Sequence, residues 1–246
     1  MRLSFLGTGA ATSRSRHNCA IVVDEELLFD GGAPLLMNLA RLNVPADNVH
    51  SVLLTHCHGD HIAGLGAFLL ARVVGSGPPL TIFGPPGTEA RIDGLCRALW
   101  GERWRTTRGV CDLRYAIVAA GMSLRAGKYR IDVAHIEHDG GQFYDVPSVG
   151  YIISDGETSL GYMGDAAPGP WVDAFLERCE VAVIECTGFD PGPTHLSERY
   201  VAELARRHPA TRLLLTHFGG DAPVIAGATA GEDFATFEFG SAAPTG

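Results

Sequence analysis

The chain has 246 residues, 46% of them hydrophobic and 19% charged, which excludes a disordered chain and is long enough to bury a large core. Its net charge of −9 supplies no global field for an anionic membrane surface or for nucleic acid, although a local basic patch is compatible with it. The six cysteines, at 19, 57, 96, 111, 179 and 186, form no C-x-x-C pair and read as buried free thiols of a reducing cytoplasm.

Neither end of the reading calls for a membrane. MRLSFLGTGAAT at the N-terminus has no apolar core of the secretory kind, and the longest apolar stretch, IAGLGAFLLARVV, is broken by Arg72 and too short to cross a bilayer. The expected location is the cytoplasm.

In chain order, residues 2–7, 19–23 and 26–32 read as short strands. Residues 33–44 have helical spacing, with Leu35, Leu36, Leu39 and Leu42 on one face and Pro34 near the start. Strands are expected at 51–55 and 80–87, the latter ending in a Pro-Gly turn, followed by a helix over 88–99. Residues 113–118, 129–135, 148–154 and 158–165 carry strand character. A helix at 171–179, a strand at 181–186, an amphipathic helix at 196–208 and a strand at 211–217 follow. The Gly/Ala-rich tail from Ala222 has room for one more strand at 234–239. Strands first, then strand and helix in alternation, with no linker between, point to one layered α/β domain over 1–246, with functional residues at strand ends.

The strongest chemical signal is THCHGDH, residues 55–61, directly after an apolar strand. Residues two apart on an extended segment share a face, so His56 and His58 can address one metal while Cys57 points away into packing. A turn at Gly59 sends Asp60 and His61 toward a neighbouring position. Imidazole with carboxylate suits zinc, with manganese or iron as alternatives. Further ligands should come from other strand ends. Asp165 after LGYMG and His217 after LLLT are abrupt polar endings to apolar strands, although an aspartate there also suits a turn. Two metals held side by side want a bridging carboxylate, which favours Asp165. For a third histidine two residues compete. His135 is in phase with Ile131 and Val133 and so would face the buried side, whereas His138, just past the strand, is the preferred ligand.

These residues resemble the metallo-β-lactamase superfamily: H-x-H-x-D-H as His56, His58, Asp60 and His61, then His138, Asp165 and His217. The resemblance implies a four-layer αββα sandwich with the site at one edge. It also implies that His56, His58 and His138 hold one metal, that Asp60, His61 and His217 hold the second, and that Asp165 bridges them. FLGTGAATS, LLFDGGAP, FGPPG, PSVGY, IECTGF, THLSERYVAELA and LLLTHF are similar to the ribonuclease Z-like phosphodiesterase branch. In that branch a late glutamate and histidine assist catalysis, and Glu185 and His195 stand at the matching positions.

Two departures bear on substrate. Ribonuclease Z carries a long arm between its Gly-Tyr segment and the bridging aspartate and grips transfer RNA with it, but here only thirteen residues, 152–164, ending in SDGETSLGYMG, separate Tyr151 from Asp165. The Ser-Arg-Tyr expected after the last histidine is replaced by Phe218, Gly219, Gly220 and Asp221. With the acidic balance, these make transfer RNA an unlikely partner and favour a small or nucleotide-type diester. Residues 94–110 hold Arg97, Arg103, Arg105 and Arg108 with Trp100 and Trp104. Arg103 and Arg105 are candidates for substrate binding, against the alternative of a solvated helix end over core tryptophans.

The expected activity is therefore that of a two-zinc phosphodiesterase. Two divalent ions sharing a water make hydroxide available at neutral pH, Asp60 orients it, and His195, held by Glu185, serves as general acid. The alternatives are hydrolysis of a carboxylic ester, thiol ester or lactone, ribonuclease Z-type cleavage of transfer RNA, and a di-iron redox or non-hydrolytic metal protein. A homodimer is compatible with the resemblance.

Overall fold

The computed structural model describes residues 1–104, 111–138, 147–190 and 192–240. The first half supplies strands β1 (Arg2–Gly7), β2 (Ala20–Val23), β3 (Leu27–Phe29), β4 (Ser51–Leu53), β5 (Leu80–Gly84) and β6 (Leu113–Ile117). The second supplies β7 (Ser123–Ala126), β8 (Tyr129–His135), β9 (Val149–Ser154), β10 (Ser159–Tyr162), β11 (Val181–Glu185), β12 (Arg212–Thr216), β13 (Ala228–Ala230) and β14 (Thr236–Glu238). Helices α1 (Leu35–Arg41), α2 (Gly59–Ile62), α3 (Leu65–Val74) and α4 (Thr88–Trp100) lie in the first half, and α5 (Pro170–Leu176) and α6 (Glu198–Arg207) in the second.

The strands form two mixed sheets of seven, ordered β14-β1-β2-β3-β4-β5-β6 and β13-β12-β11-β10-β9-β8-β7. Each is antiparallel at one end and parallel at the other. In the first sheet β3, β4, β5 and β6 run parallel, and in the second β10, β11, β12 and β13 do. Period-two alternation sorts side chains between layers. Ile21 and Val23 of β2, and Val181 and Val183 of β11, pack between the sheets with Phe5, Phe29, Tyr151 and Leu214. Their neighbours face outward. Ala20 and Val22 meet α1 and α3 through Leu35, Leu39, Phe68 and Leu69, while Ala182 and Ile184 meet α5 and α6 through Phe175, Val201 and Leu204. This is the four-layer αββα sandwich.

The register places chemistry. Phe29 pairs with Leu53 across β3 and β4, and Glu185 with Thr216 across β11 and β12, so the residues just beyond these strands emerge side by side at the same edge. Parallel strands expose their carboxyl ends together, where sites form in such folds.

Helices α2 and α3 and strands β7 and β13 have no counterpart in the sequence reading, where Gly59 makes a turn. The apolar run containing Arg72 is helix α3, with Leu65, Phe68, Leu69 and Val73 on one buried face. Arg72 does not break it, because its guanidinium is itself buried and donates to the carbonyls of Ala46 (2.7 Å), Val49 (3.1 Å) and Pro78 (2.5 Å). β7 is a polar edge strand turning into β8 through Gly127, and β13 is made of small residues, so neither shows a hydrophobic period. The helix expected over 33–44 is confined to α1. The strand expected at 234–239 exists as β14 and pairs with β1. Among the described residues no helix is long and apolar enough to cross a membrane.

Candidate metal centre

Residues from the ends of five elements converge at the shared edge. His56 follows β4, His58 precedes α2, and Asp60 and His61 sit on it. Asp165 follows β10, His217 follows β12, and His138 lies three residues beyond β8. Two sets of donor atoms result, each with all members within 4.8 Å of one another: His56, His58, His138 and Asp165, and Asp60, His61, Asp165 and His217. Asp165 belongs to both. Its Oδ1 lies 3.3 Å from His61 Nε2, and its Oδ2 lies 3.3 Å from His217 Nε2 and 3.7 Å from His138 Nε2.

The ring nitrogens are oriented from behind. His56 Nδ1 meets Thr55 Oγ1 (3.1 Å), His61 Nδ1 meets Asp30 Oδ2 (2.7 Å), His138 Nδ1 meets the Thr194 carbonyl (2.9 Å) and His217 Nδ1 meets Thr187 Oγ1 (2.9 Å). Each ring therefore spends Nδ1 on its support and presents Nε2 to the centre, the usual arrangement behind metal-binding histidines. His56 Nε2 and His138 Nε2 then lie 3.0 and 3.3 Å from His58 Nδ1, three nitrogens with at most one proton to share. The buried His61 Nε2 and Asp165 Oδ1 make no hydrogen bond among the described residues. Buried imidazole nitrogens gathered around a shared carboxylate are a donor set that fits divalent cations.

The charges agree. Burial and the neighbouring imidazole charges push His56 well below the usual histidine value. For Asp165, burial is outweighed by the charges of His217 and His61, which hold its carboxyl well below the usual range. For Asp60 too, burial is outweighed, chiefly by the charge of His61, and its carboxyl is held below the usual range. These carboxylates stay ionised and available as ligands.

Beside the two sets stands a third group. Glu185, fully buried at the end of β11, accepts from the Ala166 amide (2.7 Å), the Thr187 hydroxyl (2.5 Å) and His195 Nδ1 (3.1 Å). With three donors on it, Glu185 is a holder of His195 rather than a ligand. Burial opposes a charge on His195, but the Glu185 hydrogen bond and charge win and raise it to about 9. A cleft of about 420 Å³, walled by Ala10, Thr12, Thr187 and Thr194, opens over His58, Asp60, His138, Asp165, His195 and His217.

The structure thus brings together His56, His58, Asp60, His61, His138, Asp165 and His217, with Glu185 and His195 beside them. Of the two middle histidines it brings His138 to the centre. His135 is exposed on the outer edge of β8, against Glu137 (3.3 Å) and Trp171, so its expected burial in phase with Val133 is wrong. Arg103 is exposed and does not line the cleft, and Arg105 lies outside the described residues. Trp104 is a core residue, and Trp100 donates to the Gly66 carbonyl.

Asp30, Thr55 and Thr187 are functional supports the sequence reading missed. Asp30 had a signal: it ends the apolar LLF of β3 as abruptly as Asp165 and His217 end theirs. Both Asp30 (φ +55°) and His217 (φ +61°) hold the left-handed backbone conformation that turns a side chain into the site. Gly164 (φ +69°) precedes Asp165 where any Cβ would lie 2.6 Å from Thr55.

Residues 26–218 match the beta-lactamase superfamily domain. The chain belongs to the metallo-β-lactamase superfamily and is a metallohydrolase. A ribonuclease Z from Mycolicibacterium gilvum is 34% identical over 244 residues, covering 89% of this chain and 84% of the relative. One from Lactobacillus johnsonii is 28% identical over 277 residues, covering 88% and 87%. The crystal structure of the short form of human tRNase Z superposes with a TM-score of 0.73 over 97% of this chain and 99% of the other at 23% identity, a likeness of fold. These relatives correct one expectation: transfer RNA does not stand as an unlikely partner. A net charge of −9 is a sum over the whole chain and does not fix the local potential at a cleft floored by cation-binding groups.

Proposed function

We propose that the protein is a two-metal phosphodiesterase of the ribonuclease Z kind, acting on RNA, with a transfer RNA precursor as the substrate to which its relatives' names point. The observation that carries this reading is the pair of donor sets sharing Asp165, with His195 on Glu185 beside them at the cleft wall. His56, His58 and His138 would hold one ion, Asp60, His61 and His217 the other, and Asp165 both. Imidazoles and carboxylates without thiolate suit zinc, and manganese or iron(II) as well. When bound, the ions supply an activated water and neutralise charge developing on the phosphoryl oxygens.

The chain's own residues do the rest. Asp60 remains ionised and fixes the geometry on the attacking side. His195 holds its proton at neutral pH through Glu185 and delivers it from Nε2 to the leaving oxygen. The cysteines, all six free and buried, support a reducing, cytoplasmic setting. A second substrate class, small phosphodiesters, is favoured by the short connection of residues 155–158 between β9 and β10, in the span where ribonuclease Z carries its transfer RNA-gripping arm.

The test offers zinc-loaded protein a transfer RNA precursor bearing a 3′ trailer, bis(p-nitrophenyl) phosphate and p-nitrophenyl acetate, with a chelated sample and Asp165→Ala as controls. Endonucleolytic release of the trailer, lost in both controls, supports the reading. Diester turnover without RNA cleavage moves the substrate to small diesters. Turnover of the acetate alone overturns the phosphodiesterase assignment.

A further inference from the structure

The same three-part device occurs once behind each donor set. After β4, Thr55 Oγ1 lies 3.0 Å from Asp30 Oδ2 and 3.1 Å from His56 Nδ1. After β11, Thr187 Oγ1 lies 2.5 Å from Glu185 Oε2 and 2.9 Å from His217 Nδ1. The two lie in different sheets. In each, a carboxylate and a histidine are brought together from the ends of neighbouring parallel strands, β3 with β4 and β11 with β12.

The direction of each hydrogen bond follows from counting donors. Asp30 already accepts from the Thr55 amide (2.8 Å), Tyr162 hydroxyl (3.0 Å) and His61 Nδ1 (2.7 Å), and Glu185 from the Ala166 amide and His195. A carboxyl surrounded by donors is acceptor only, so each threonine proton points at its carboxylate. The hydroxyl oxygen then has only lone pairs to offer the imidazole, and the ring must donate Nδ1–H. A hydroxyl has one proton, and the carboxylate claims it.

We propose that Thr55 and Thr187 are tautomer-setting positioning residues, one for each metal: each hydroxyl passes the polarity of a buried carboxylate to a histidine and forces its bare Nε2 toward the ion. The inference rests on the two-metal reading above but adds residues to it. Thr55 acts on His56 and hence on the His56–His58–His138 set. Thr187 acts on His217 and hence on the Asp60–His61–His217 set. Thr187 also shares Glu185 with His195, so one hydroxyl links the second ion's ligand to the proton donor.

The experiment titrates metal-free protein with Zn2+ against a chromophoric chelator, for the wild type, Thr55→Val, Thr187→Val and the two Thr→Ser variants. Valine keeps the shape and removes the hydroxyl, and serine keeps the hydroxyl. Each valine variant is expected to weaken one of the two binding steps by roughly 10–100-fold and leave the other within a few-fold. Serine is expected to restore it. Valine variants that bind both ions as the wild type does, or serine variants no better than valine, overturn the proposal. So does equal weakening of both steps by either variant, which marks a general packing defect. Thr55 is fully buried, and Thr187 on the cleft wall carries the test if Thr55→Val does not fold. A wild type that binds fewer than two zinc ions defeats the two-metal reading itself, a result the same isotherm reports separately.

Discussion

Asp30 and Glu185 are both fully buried carboxylates, each beside a threonine and a histidine, yet they support different work. Asp30 spends every contact on holding. It gathers Thr55, Tyr162 and His61, all buried, and none of these is a wall of the cleft. Glu185 has the same number of partners but gives two of them, Thr187 and His195, to the cleft. A carboxylate whose partners are all buried makes a rigid base for metal ligands. One whose partner faces solvent holds a proton where a substrate arrives. The difference separates affinity for the ions from turnover, and mutations at the two positions should fail in different ways.

The largest effect is expected at Asp30. Asp30→Ala strips four hydrogen bonds and leaves the Thr55 amide, the Tyr162 hydroxyl and His61 Nδ1 buried without an acceptor. Breaking such a buried, charge-assisted cluster costs about 3–5 kcal/mol of folding stability. Urea unfolding of the metal-free protein should show it, with zinc content below two per chain. A variant that unfolds as the wild type does and still binds both ions would break the contrast.

On the other side the loss should be kinetic. His195→Ala should leave zinc content and unfolding close to wild type and lower turnover on RNA by roughly 10²–10⁴-fold. Turnover of bis(p-nitrophenyl) phosphate, whose nitrophenolate needs no proton, should change little. Equal losses on both substrates would remove the proton-donor role. The pH profile carries the same information. A group raised to about 9 is protonated below that pH and loses its proton above it, so RNA cleavage should fall on the alkaline side of about 9. That descending arm should vanish in His195→Ala.

Glu185→Gln should have a smaller effect and move the arm instead of removing it. The carboxylate's hydrogen bond and charge are what raise His195, so the neutral amide returns it toward the ordinary histidine range and shifts the arm to lower pH. An arm that stays near 9 would assign it to another group.

The cluster at 55–61, Asp165 and His217 were legible as abrupt polar endings to apolar runs bounded by glycine and proline, whereas Glu185 and His195 were reached through the resemblance to ribonuclease Z. The supports were not. Thr55 and Thr187 are ordinary residues of strand ends, and their significance exists only once Asp30 and Glu185 lie in register beside them across parallel strands. His135 misled for a related reason. Period two predicts which face of a strand a residue takes, but β8 loses its alternation at Val133 and Ala134, which are both buried, so His135 emerges on the outside. Arg72 shows the limit of reading charge as a boundary, since three backbone carbonyls collected from elsewhere receive its guanidinium.

The smallest expected effect tests whether the Asp30 side is as rigid as its burial implies. Tyr162→Phe removes one of Asp30's donors and keeps the ring, whose centroid lies 5.4 Å from that of Phe29. Burial and the Asp30 charge hold the Tyr162 phenol well above its ordinary value, so in the wild type it is a donor at every working pH. Its loss still leaves Asp30 with Thr55 and His61, and the cost should be that of one hydrogen bond, roughly 1 kcal/mol in unfolding, with zinc affinity changed by less than about tenfold. Turnover at saturating zinc should stay near wild type, because nothing on the cleft wall has moved. If Tyr162→Phe instead lowers turnover as His195→Ala does, Asp30's network reaches the chemistry directly, and holding and turnover are not divided between the two carboxylates.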